Sequence, residues 1–114
     1  MNYEVIILEP AKEFIDSLDV KLKAKTFRTI ELLGEFGPFL SEPHSKKVAG
    51  YKGLYELRVI HGNNICRLFY FHDKGKVYII TSGFIKKESR LKKSEIDLAV
   101  RLFSNYKGNH NEKK

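Results

Sequence analysis

The run Leu54-Tyr55-Glu56-Leu57-Arg58-Val59-Ile60-His61, then Gly62-Asn63, then Asn64-Ile65-Cys66-Arg67-Leu68-Phe69-Tyr70-Phe71-His72 decides the fold. Both outer segments are rich in β-branched and aromatic residues, and the Gly-Asn step between them accepts the positive φ of a tight turn. They read as the two strands of an antiparallel hairpin. With the loop centred on Gly62-Asn63, Arg58 falls directly opposite Arg67. Side chains alternate along a strand, so Glu56, Arg58, Arg67 and Phe69 share one face. Tyr55, Leu57, Val59, Cys66, Leu68 and Tyr70 point the other way and form the candidate core. A third strand-like run, Lys76 to Phe84, follows a second turn at Lys74-Gly75.

Upstream of the hairpin, Tyr3 to Leu8 is apolar and β-branched and predicts a strand. Glu9-Pro10 opens a helix whose stripe is Ala11, Phe14, Ile15 and Leu18. Asp16 to Asp19 breaks it, and Asp19 caps a second helix carrying Leu22, Thr26, Ile30 and Leu33. Gly34 or Gly37 ends that helix, with Pro38 beyond. Residues 38–53 read as a loop. Downstream, Ile96, Ala99, Val100 and Phe103 recur at helical spacing; Ser94 with Asp97 resembles a capping box, and Ser89 is an equal candidate start. The order is strand, two helices, three antiparallel strands, helix. Two helices covering one face of the sheet would leave its other face partly free. Residues 1–107 form a single domain, and 108–114 are expected to be a disordered tail.

At 114 residues the chain is long enough for one core without metal or disulfide. The single cysteine, Cys66, fits a reducing compartment. No apolar run approaches the ~20 residues of a membrane span. The N-terminus has neither a basic leader nor a cleavage site, so the expected location is cytoplasmic. The net charge is +7. From His44 to Lys93 there are twelve Lys or Arg against three acids, a surplus of nine, while the rest of the chain is slightly acidic. A clustered surplus of this size favours a polyanion, because each neutralised phosphate releases a counterion.

The opposed arginines are the sharpest candidate site. Like charges directly opposite are destabilising unless an anion sits between them. Glu56 neutralises one guanidinium and leaves the other for a ligand such as phosphate. Lys86 and Lys87 end the last strand on the side of Arg67 and extend the site. His44, in the basic loop, is a reserve base. Lys46, Lys47, Lys52, Arg90, Lys92 and Lys93 are candidate RNA contacts, and Tyr51 a candidate for stacking on a base. Phe69 reads either as a stacking platform or as an apolar patch for a partner. The histidines and Cys66 show no zinc-ligand spacing, there is no phosphate-binding glycine loop, and no cofactor is expected.

The motifs Gly53-Leu54-Tyr55-Glu56-Leu57-Arg58-Val59, Cys66-Arg67-Leu68-Phe69-Tyr70-Phe71, Gly83-Phe84-Ile85-Lys86-Lys87 and Ser94-Glu95-Ile96 with Ala99, preceded by Lys46-Lys47-Val48, resemble the phage-derived HigB-like branch of the RelE/ParE toxin superfamily. The resemblance spans about Tyr3 to Tyr106. It implies an α+β, RelE-like β-α-α-β-β-β-α fold, an antiparallel sheet packed against helices on one face. It implies a type II toxin that acts as a ribosome-dependent mRNA endonuclease, with a small helix-turn-helix antitoxin encoded next to it. Arg58, Arg67, Lys86 and Lys87 match the family's basic active-site positions, and Glu56 its strand glutamate. Leu91-Lys92 stands where related chains often have Thr-Pro, and no His-Tyr pair ends the last strand. The implied reaction is attack by the RNA's own 2′-hydroxyl, without metal. Glu56 either orients an arginine or accepts the 2′ proton. The alternatives are a ParE-like, non-catalytic inhibitor of DNA gyrase and a degenerate regulatory binding module.

Overall fold

The computed structural model describes residues 2–86 and 91–112. Strand β1 is Glu4–Ile7, followed by helices α1 (Glu9–Asp16) and α2 (Val20–Phe36) and a short 3₁₀ turn at Gly37–Phe39. Strands β2 (Ser45–Lys47), β3 (Leu54–His61), β4 (Asn64–His72) and β5 (Val77–Lys86) precede helix α3 (Lys93–Glu112). The sheet order is β1-β5-β4-β3-β2. All neighbours are antiparallel except β1 and β5, which run parallel. The fold is the α+β architecture read from the sequence.

Local chemistry sets the boundaries. Pro10 occupies the first turn of α1, where its missing N–H costs no hydrogen bond. Asp19 caps α2, its Oδ1 accepting from the Leu22 N–H at 2.9 Å. Gly37, at φ +51°, ends α2 in a backbone region that favours glycine. Gly62, at φ +62°, makes the two-residue turn between β3 and β4, and the pairing His61 with Asn64 follows from it. Arg58 lies opposite Arg67, as the centred turn requires.

Four features depart from the sequence reading, the first being that α3 continues to Glu112, through residues 108–112 of the expected disordered tail. The loop 38–53 contains β2, which pairs with the outer edge of β3; three polar residues carry no apolar alternation to announce it. Helix α3 starts at Lys93, with the Lys92 carbonyl accepting from the Glu95 and Ile96 N–H groups, so Ser94 lies inside the first turn and is not its cap. Ser89 lies outside the described residues. Finally, α3 covers part of the sheet face expected to be free. Helices α1 and α2 pack on one face through Ala11, Ile15 and Leu33 against Leu57, Leu68 and Ile80. On the other face Leu54, Phe69 and Phe71 need cover, and Ile96 and Ala99 of α3 supply it. Phe71 stacks on Phe103 at 4.3 Å between ring centroids. Phe69 is fully buried, so it is neither a stacking platform nor an exposed patch.

Candidate active site

The face shared with α3 carries two adjacent cross-strand rows beside its apolar part. Lys46, Glu56, Phe69 and Ser82 lie opposite one another across β2, β3, β4 and β5. Arg58, Arg67 and Phe84 form the next row. At the crossing of the rows Glu56, only 2% exposed, holds both arginines through one oxygen. Arg67 Nη1 donates to Glu56 Oε1 at 2.6 Å, and Arg58 Nε stands 3.5 Å from the same oxygen. Two guanidinium groups therefore share one carboxylate, and the cluster carries a net positive charge.

The two arginines are not equivalent. Arg67 is 7% exposed and lies beside the Phe69 and Phe84 rings, whose centroids are 5.5 Å apart. Its short bond to Glu56 is charge-assisted in a region that excludes water, the setting in which such a bond is strongest. The Arg58 side chain keeps 21% exposure and has the longer, weaker contact. The Nε atoms of both arginines are buried and have no hydrogen-bond partner among the described residues. The Arg58 guanidinium, partly exposed and only loosely paired, is the group of the cluster on which an anion can gain charge-assisted hydrogen bonds.

The other candidate residues separate in space. Lys46 is exposed and directly opposite Glu56, whereas Lys47 lies opposite Tyr55 and so faces the helix side of the sheet. The His44 carbonyl accepts from the Arg58 N–H at 2.8 Å, and both residues line one groove beside α2. Tyr51 packs half-buried against the Phe69 cluster, and Lys52 is exposed in the turn before β3. Lys92 and Lys93 are exposed at the start of α3, where Lys93 lies 4.0 Å from Asp97. Lys86 ends β5 opposite Ile65; its side chain, Lys87 and Arg90 lie outside the described residues.

The basic segment is not one strip. Lys74 and Lys76 belong to the β4–β5 turn, at the far end of β4 from the β3–β4 turn near Arg67. Lys25 and Arg28 of α2, from the part of the chain with no basic surplus, join Arg58 and His44 in lining the groove. Their sequence signal was the alternation Lys21, Lys23, Lys25 and then Arg28, which a helical reading treats as a solvated face. Cys66 is sealed in the helix-side core beside Thr26, and burial pushes its thiol up to about 11, so it is no nucleophile at neutral pH.

Comparison with known proteins agrees with this architecture. The family model described as phage derived protein Gp49-like (DUF891) matches residues 13–104. No curated protein sequence matches the chain. RelE from the archaeal RelE–RelB complex of Pyrococcus horikoshii OT3 superposes with a TM-score of 0.57 at 25% identity, covering 80% of this chain and 100% of that one. The isolated E. coli RelE toxin superposes with a TM-score of 0.58 at 18% identity, covering 88% and 99%. The intact E. coli RelBE toxin–antitoxin complex contains a chain that matches at 0.57 and 19% identity, covering 77% and 99%. A sheet with an Arg-Glu-Arg cluster on one face, in a fold shared with RelE toxins and under a family model spanning most of its length, places the chain in the phage-derived Gp49-like family of the RelE superfamily.

Proposed function

We propose that the protein is the toxin of a type II toxin–antitoxin pair and cleaves mRNA on the ribosome. The observation that carries this reading is the uneven sharing of Glu56. Arg67 is buried against Glu56 at 2.6 Å, and Arg58, more exposed, has the longer contact of 3.5 Å. In the reaction the substrate's 2′-oxygen attacks the adjacent phosphorus as its proton passes to a base. The bond from phosphorus to the 5′-oxygen breaks, and that oxygen takes up a proton. The charge that grows on the phosphorane oxygens is met by Arg58. Glu56, locked against Arg67, orients Arg58 and is not the base. His44 (next to Arg58), Lys86 and Lys87 are the groups left for proton transfer. None of these is a strong acid–base pair, so in-line geometry has to come from the ribosome, and the free protein is a poor ribonuclease. Two of the RelE chains it resembles come from complexes with RelB; a small helix-turn-helix antitoxin encoded next to this chain is the corresponding partner.

The test is primer extension on a translated message and on the same message free in solution. Ribosome-dependent cuts with 5′-hydroxyl and 2′,3′-cyclic or 3′-phosphate ends are expected, surviving chelation of metal when ribosome integrity is maintained separately. Arg58→Ala should reduce cleavage at least a hundredfold while the protein stays folded. Intact message together with trapped gyrase–DNA complexes would overturn the reading in favour of a gyrase inhibitor.

A further inference from the structure

Beyond Arg58 the outer edge of β3 has no strand beside it among the described residues. Strand β2 ends its pairing at Ser45 opposite Leu57, and the last contact is the Arg58 N–H with the His44 carbonyl. The free edge and α2 enclose a groove of about 390 Å³, within the range of sites that hold small ligands. Lys25, Arg28, His44 and Arg58 line it together with the apolar Pro43 and Ile60. No described lining residue is acidic. Lys25 spans the groove, its Nζ donating to the Ile60 carbonyl at 3.2 Å.

The charge pattern of α2 is a second, independent observation. A helix N-terminus carries a partial positive charge and favours acidic residues in its first turn. Helix α2 has none there; it places Lys21, Lys23, Lys25 and Arg28 before its first acid, Glu31. Lys23 is compensated by Asp16 at 3.2 Å. Lys25 and Arg28 face the groove with no carboxylate partner among the described residues. The N-terminal charge of α2 is met by the Asp19 cap, so Lys25 and Arg28, in its second and third turns, are left as cations that a bound polyanion can pair.

We infer that this groove holds the sugar–phosphate backbone of the message next to the phosphate bound at Arg58, with Lys25 and Arg28 as positioning residues. The inference rests on the mRNA-cleaving function proposed above. Arg58 lines the groove at the β3 edge while its side chain meets Glu56 on the α3 face, so a strand with its scissile phosphate on Arg58 reaches the groove by passing around that edge. That path favours RNA over an acidic protein segment as the occupant.

The experiment uses a single-stranded RNA oligonucleotide, the intact protein and the double variant Lys25→Gln/Arg28→Gln, with binding followed by fluorescence anisotropy over a salt series. Two lost phosphate contacts should make the log–log salt slope shallower by about 1.4, at ~0.7 per contact for single strands. Circular dichroism checks that α2 persists. An unchanged slope overturns the inference. Weaker binding only to message-free ribosomes would move the contact to ribosomal RNA, and weaker binding only to the antitoxin would make the groove a protein-docking surface; either result also overturns it. Arg58→Ala is run in parallel through the cleavage assay. Loss of cleavage there with an unchanged slope in the double variant sinks the groove alone. Retained cleavage in Arg58→Ala sinks the function on which the groove depends.

Discussion

Glu56 shows how burial divides labour between two like residues. By register alone Arg58 and Arg67 are equals, and Arg67→Ala looks like a clean loss-of-function variant. The geometry says otherwise. Removing Arg67 leaves the Glu56 carboxylate buried with only the 3.5 Å contact to Arg58. Breaking a buried pair by deleting one partner typically costs about 3–5 kcal/mol. Arg67→Ala should therefore lower the urea midpoint strongly, and Arg58→Ala should lower it little. Equal midpoints for the two variants would show that the buried pair carries no stability. At this scale the opposed arginines were legible because a two-residue turn fixes every pair in the hairpin. The different fates of Lys46 and Lys47 were not, because they depend on β2, which no periodicity announces. Lys25 and Arg28 were equally hidden, since helical spacing shows which face they share but not what lies across from it.

Among the elements, α1 meets the sheet where β5 carries a glycine. A Cβ on Gly83 would collide with Leu68 Cδ2 and lie 2.6 Å from Phe14 Cδ2. Leu68 is fully buried and cannot move aside freely, and Phe14 is half-buried beside it. Gly83→Ala should destabilise by about 1–3 kcal/mol, the usual range for overpacking, and thermal unfolding measures it. Restoring space with Phe14→Leu in the same chain should recover part of the loss; no recovery would place the strain elsewhere. The Asp19 cap and the Gly37 stop were readable because each is set by one residue's chemistry. The face taken by α3 was not, although Leu54, Phe69 and Phe71 carried the signal: three apolar residues on a supposedly open face require a cover. The pairing of β1 with β5, and its direction, left no mark in either segment.

For the whole molecule, two buried acids set the alkaline limit of stability. Burial raises the Cys66 thiol from 9.0 to about 11. Burial also raises the Tyr70 phenol from 10.0 to about 12, against a smaller opposing effect of its 2.5 Å hydrogen bond with Ser45. In both, the folded chain keeps a proton that the unfolded chain releases. Their contribution is therefore fully present below pH 9 and is lost between about pH 9 and 12, on the order of 3–5 kcal/mol together. Urea midpoints across that range should fall steadily, and Tyr70→Phe should show a shallower decline. A flat profile would contradict the burial of both groups. The overall class and strand count of the central hairpins were legible from composition and turns. The distribution of charge was not, since a linear surplus was divided between the two ends of the sheet and replenished from α2.

The parallel pairing of Glu4–Ile7 with Val77–Ile80 has a consequence in time. The first strand to be synthesised waits for the last before it can be seated, and closing so long a loop slows folding more than any local hairpin does. Until β5 exists, α1 has no glycine notch to enter and Arg67 lacks the Phe84 ring beside it. A nascent chain that stops short of β5 cannot exclude water from the Glu56 cluster. A protein proposed to attack messages in translation is thus assembled so that its candidate site is completed only once β5 has been synthesised.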